Sequence, residues 1–212
     1  MDAYEHLQKA KCRLIMKEPF YGTITMQFEF KETKAVPTMG VRIVNAGVIQ
    51  ALYNPDFILT LNLEQLYSLL IHECEHIIRL HPVRIETRNH SGWNIAADMA
   101  INGKRSNPTC AYKEEGKKPV VVSEDGCFIP EKWDAAKSSE YYYEKLPKCE
   151  ECGEVMPWDH ETGEAREFED EGDGSENDGG EGEGQEGEGQ GGSGDGEPCP
   201  DCGVKVGQKH TT

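Results

Sequence analysis

Nowhere in these 212 residues do apolar side chains run for the roughly 20 positions a helix needs to cross a bilayer. That lack removes any membrane-spanning reading. The opening stretch, residues 1–20, mixes charges and offers no apolar core followed by a cleavage site, so it does not read as a secretory leader. A third lack is local: from Gly172 to Pro198 there is no aromatic or aliphatic side chain, only Gly, Glu, Asp, Gln, Ser, Asn and Pro. Such a segment cannot bury enough surface to offset the entropy of ordering, and it reads as a self-repelling, disordered insert. Basic residues are scarce there too. Residues 161–198 hold 15 of the 39 acidic residues and a single basic one, Arg166, and so carry −14 of the net charge of −17. The remaining −3 gives the rest of the chain no electrostatic reason to bind nucleic acid. The expected location is the cytoplasm, where the eight cysteines are free thiols or metal ligands rather than disulfides.

What is present is concentrated in one string, His72-Glu73-Cys74-Glu75-His76. Side chains four apart on a helix lie one above the other, so His72 and His76 can offer both imidazoles to one metal ion. Glu73 then stands one step round the same helix, where it can act on water at that ion. The helix is well signalled. Asn62 is placed to cap it, Gln65 completes a capping box, and Leu63, Leu66, Leu70 and Ile77 recur at helical spacing. Pro82 disfavours helical geometry at His81 and marks the end. A helix this apolar is buried, where His and Glu need partners.

Two histidines are too few for a catalytic zinc site, which commonly uses three protein ligands and a water. Asp98 is the favoured third ligand. It lies on a second predicted helix over residues 93–102, ended by Gly103, with Asn94 and Asn102 one turn to either side to orient the ligands. His81 is the alternative. It lies about 180° round an ideal helix from His72, and no glycine in residues 77–80 would let the chain turn back early. An oxyanion donor is not assignable, although His90 and Tyr112 are candidates.

Elsewhere the pattern predicts a helix over residues 1–19, broken by Pro19 and Gly22. Three strands follow within residues 22–53, forming a small antiparallel sheet, and a last helix covers residues 135–146. Residues 104–134 read as a long loop with a short strand at 120–122. The fold class is α+β.

Taken together, Pro19-Phe20, residues 53–57 (YNPDF), His72-Glu73-x-x-His76, Leu80-His81-Pro82-x-Arg84, residues 93–102 (WNIAADMAIN) and Ser139-Glu140-x-x-Tyr143-x-x-Leu146 form a recognisable set. They resemble a family of predicted metallopeptidase domains commonly found ahead of a VWA-like domain in bacterial and phage proteins. The likeness spans about residues 5–146. It implies a zincin-like metallopeptidase domain at residues 1–147, a zinc-dependent peptidase activity in a bacterial or phage-infected cell, and a protein or peptide substrate. It carries His72, His76 and Glu73 over as ligands and general base, and Asp98 and His81 as polar positions of the same pattern. After residue 147 this chain has cysteine pairs where a VWA-like domain is usual.

Those pairs, Cys149-x-x-Cys152-Gly153 and Cys199-x-x-Cys202-Gly203, have the form of two zinc knuckles. Four thiolates make a closed tetrahedral site, structural rather than catalytic. The reading is a zinc ribbon with knuckles at residues 148–160 and 197–208, interrupted by the acidic insert at 161–196. The ribbon would dock protein rather than nucleic acid, because the adjoining charge repels phosphate. Cys12, Cys74, Cys110 and Cys127 lack such spacing and read as small buried apolar residues. The alternative to the enzyme is a catalytically silent zincin-fold adaptor that binds partners through the ribbon.

Overall fold

In the computed structural model of the chain, residues 2–44, 47–109, 120, 127–149, 155–156, 158–159 and 161–165 are described. Helix α1 (Ala3–Lys17) begins at Asp2, whose carboxylate accepts the Glu5 N–H at 2.7 Å. Leu7, Ala10 and Leu14, on one stripe, are fully buried. The chain then does something the alternation of residues 22–30 did not foretell. Residues 19–25 form a second helix, α2 (Pro19–Thr25), with proline in its first turn. Its β-branched Thr25 is accommodated because the hydroxyl donates back to the Tyr21 carbonyl at 2.8 Å and faces Cys74 Sγ at 3.1 Å. Gly22 lets the two helices close: a Cβ there would stand 2.6 Å from the Ile15 Cα.

Three strands follow, β1 (Phe28–Glu32), β2 (Met39–Ile43) and β3 (Ile49–Tyr53). Their order is β1-β3-β2. β2 and β3 form a hairpin, with Gly47 at φ 80°, but β3 runs parallel to β1, Phe28 opposite Ile49 and Glu32 opposite Tyr53. The sheet is therefore mixed, not antiparallel as expected. Alternating hydrophobicity marks a strand and its buried face, but not its neighbours, and residues 33–38 carry the chain past β3's place to the far edge. Ala51 and Tyr53 on the central strand are buried.

Helix α3 (Pro55–Thr60), capped by Asn54, leads to α4 (Leu63–Ile78), the helix of the HExxH string. The expected capping box is present: Asn62 Oδ1 accepts from the Glu64 and Gln65 N–H groups, and Gln65 Oε1 accepts from the Asn62 N–H. Leu66, Tyr67 and Leu70 are wholly buried and join α1, α3 and the sheet in one core. Emptying the Leu70 position to Ala would cost about 2–5 kcal/mol. A second cluster joins α6 (His90–Asn102), Ile129, Trp133 and α7 (Ser139–Lys145). Gly92 on α6 is pressed against Tyr143 of α7 and Val155. The short helix α5 (His81–Arg84) follows α4, and the short strands β4 (Gly103–Lys104) and β5 (Asn107–Pro108) follow α6.

Gly103 ends α6 at φ 73°, as expected of a helix terminator. The last helix is shorter than predicted, starting only after Ser138 caps it. Cys74 is buried as expected, but Cys12 is exposed. Of the four knuckle cysteines, Cys152, Cys199 and Cys202 lie outside the described residues, as do residues 166–196 of the acidic insert, Tyr112 and Cys110. No helix among the described residues is long and apolar enough to cross a membrane.

Candidate metal centre

α4 and α6 meet where the two cores adjoin, and three donor atoms converge there. Nε2 of His72 and Nε2 of His76 are 3.0 Å apart. Asp98 Oδ1 from α6 lies 3.3 Å from the first and 3.0 Å from the second. Among the described residues these are the group of His, Cys, Asp and Glu side chains placed to hold one metal ion. With zinc–nitrogen bonds of about 2.0–2.1 Å, a tetrahedral site needs ligand atoms about 3.3 Å apart, so the triangle has the size of one tetrahedral face. The donor set fits zinc: two imidazoles and a carboxylate, leaving a fourth position.

Hydrogen bonding explains why both Nε2 atoms can face inward as bare acceptors. The Cys127 carbonyl can only accept, so the Asn102 Nδ2 that lies 2.9 Å from it must donate, which fixes the amide. Asn102 Oδ1 then faces His72 Nδ1 at 3.1 Å and accepts its proton. His72 Nε2 is left with a lone pair. His76 is backed differently. Its Nδ1 is 3.2 Å from His81 Nδ1, and His81 Nε2 is 2.9 Å from the Ser139 hydroxyl at the start of α7. Two facing lone pairs and a carboxylate within 3.3 Å repel unless a proton or a metal cation sits among them.

In the metal-free form, protons on the Nε2 atoms play the cation's part and donate to Asp98. Burial would raise the Asp98 pKa, but hydrogen bonds and charge from His72 and His76 hold it below the usual carboxylate range. Burial alone would lower His72, and Asp98 overrides it, so that ring is raised above 6.5. Glu73, 3 % exposed, is pushed up by burial despite the pull of His76 and His72. Burial and the neighbouring His76 push His81 down to about 3, so it is uncharged at neutral pH. The remaining residues of the string hold α4 in place. Glu75 accepts from the Tyr21 hydroxyl at 2.7 Å and from Arg79 at 2.9 Å. Cys74, its thiol pushed up to about 12 by burial, packs under α2.

The structure thus brings Asp98 to His72 and His76 and places His81 behind His76, away from the triangle. His81 gets there because Leu80 takes the left-handed conformation, φ 57°, at the end of α4. Of the two amides expected to orient ligands, Asn102 does so, while Asn94 is exposed. Ser139 was not foreseen. A buried serine in a first helical turn has no pattern of its own, and only its place in the resembling set singled it out.

Residues 3–201 match a domain family described as "Putative metallopeptidase domain". The chain belongs to this family. The match extends beyond residue 147 and through the acidic insert. Among curated proteins, an uncharacterized protein of Thermotoga maritima is 28% identical over 153 residues, which are 68% of this chain and 38% of that protein. The chain therefore spans well under half the length of this relative. No solved structure matches it significantly.

Proposed function

We propose that the chain is a zinc-dependent peptidase whose ion is held by His72, His76 and Asp98 and whose general base is Glu73. The observation that carries this reading is the triangle of three donor atoms at 3.0–3.3 Å, with a buried carboxyl one residue from its first member. Zinc there would supply Lewis acidity towards a carbonyl oxygen and lower the pKa of water to about 7. Asp98, held ionised, offsets part of the ion's charge. Asn102 keeps His72 in the tautomer that presents Nε2. Glu73, its pKa raised towards the working range of a base, takes the proton as water attacks the carbonyl carbon of a peptide bond. It then hands that proton to the departing amine nitrogen.

On cysteine spacing alone we further assign a structural zinc to Cys149, Cys152, Cys199 and Cys202, and to the ribbon they would form a role in protein docking. Cytoplasmic location belongs to the same proposal. Two zinc ions per chain are expected, and the pair His72→Ala and His76→Ala should remove one of them. Glu73→Gln should keep both ions and lose at least about 100-fold in cleavage of a peptide library. Full hydrolytic activity in Glu73→Gln would refute the assignment of the base.

A further inference from the structure

His81 is 2 % exposed and is bonded at both ring nitrogens, to His76 on one side and Ser139 on the other. Its backbone carbonyl accepts from the Trp93 indole N–H at 3.0 Å, and its ring meets Trp93 edge to face. The short helix that carries it is clamped to α7 by Arg84. That guanidinium donates to both Glu140 carboxylate oxygens at 2.6–3.0 Å, one residue from Ser139. Three elements thus fix one imidazole against the rear of His76. Only one proton arrangement lets His76 present a bare Nε2 to a metal. Its Nδ1–H donates to His81 Nδ1, and His81 Nε2–H donates to Ser139 Oγ.

We propose that His81 is a positioning residue for the metal centre: it fixes the tautomer and orientation of His76 as an uncharged acceptor, and Ser139 fixes His81 in turn. The proposal rests on the metal reading of the triangle. Metal-bound histidines commonly donate their second N–H to a carboxylate or a backbone carbonyl. His81 does the same work without adding negative charge behind the ligand. The opposite arrangement, with His81 donating to His76, puts a proton on His76 Nε2 and turns that atom from a donor of electrons into a hydrogen-bond donor. Anything that lets His81 rotate admits that form and weakens metal binding.

The test measures zinc Kd on the full chain by chelator competition. Subtracting the His72→Ala, His76→Ala double variant removes any binding by thiolates. His81→Phe keeps the ring's bulk beside Trp93 and removes both nitrogens. It should weaken zinc 10–100-fold, the usual effect of losing such a support. His81→Asn keeps an oxygen near the place of Nδ1 and should recover part of that loss, which a merely structural role would not predict. Zinc Kd in His81→Phe equal to wild type would overturn the proposal. Should His81→Phe not fold, Ser139→Ala decides: several-fold weaker zinc upholds it, and unchanged zinc overturns it. A wild type that takes up no more zinc than the double variant would overturn the metal reading and this proposal together. Zinc bound equally by wild type and His81→Phe would sink the His81 assignment alone.

Discussion

Gly22→Ala probes the support beneath the HExxH helix. An alanine Cβ at this position would lie 2.6 Å from the Ile15 Cα, 3.1 Å from its Cγ1 and 3.2 Å from its amide nitrogen. Two of those three atoms are backbone, so relief requires α1 and α2 to move apart rather than a side chain to swing. Overpacking of this kind costs about 1–3 kcal/mol. Against it stands the better helix propensity of alanine, about 1 kcal/mol. The expected net loss is up to about 2 kcal/mol, or a fall in Tm of up to about 8 °C for a chain of this size. Gly40→Ala is the matched control. Nothing lies within 4 Å of a Cβ there, so the loss of unfolded-state entropy should stabilise by about 0.4–1 kcal/mol. Thermal unfolding of both variants, metal-free, reads opposite signs. A Gly22→Ala protein stabilised as much as Gly40→Ala would show that the helices are not in the contact described. Because Tyr21, next to the substitution, bonds Glu75 within the string, zinc affinity should also fall in Gly22→Ala and stay unchanged in Gly40→Ala.

The Arg84–Glu140 pair should reveal itself in acid. Arg84 holds the Glu140 carboxyl down to about 2, although its partial burial pulls upward. A depressed folded-state pKa stabilises above the ordinary 4.5, and that contribution disappears as pH falls from 4.5 towards 2. With both side chains about one-third exposed, screening limits the pair to about 1 kcal/mol. The stability gap between metal-free wild type and Arg84→Leu should therefore close between about pH 5 and about pH 2, and a gap independent of pH would contradict the pairing. Leu80, exposed and left-handed, bears strain of about 1 kcal/mol that asparagine tolerates better. Leu80→Asn should raise the unfolding temperature while leaving zinc Kd unchanged, and a lower unfolding temperature would contradict this account of the turn.

Much of the site could be read from residues alone because its signals are local. The cap at Asn62 and Gln65, the four-residue spacing of His72 and His76, and the terminator Gly103 each act within a few positions, and each appears in the fold. Asp98 could be favoured for the same reason, since helix geometry alone put His81 on the wrong face. That rule also shows where local reasoning stops. In the fold His81 lies behind His76, but the rule treated a missing glycine as forbidding the turn that Leu80 makes. The fold absorbs the strain at Leu80 because packing behind His76 repays it. Residues 23–25, read as the start of a strand, misled for a related reason. Their alternation suited a strand, but contacts from Thr25 and Tyr21 to α4 favour a helix. The parallel pairing of β1 with β3 and the contact of Ser139 with His81 depend on partners far along the chain, and no short window contains them.

Those distances also set an order in time. The three donors and Glu73 all lie within residues 72–98, but Asn102 bonds a carbonyl 25 positions later and His81 a hydroxyl 58 positions later. A chain leaving the ribosome therefore exposes the proposed metal donors well before their supports exist. Until α7 emerges, His76 is free to hold its proton on either nitrogen. On the proposed metal reading, the centre is completed by the last helix of the described fold, so its strongest grip on a metal would come only after the domain has closed.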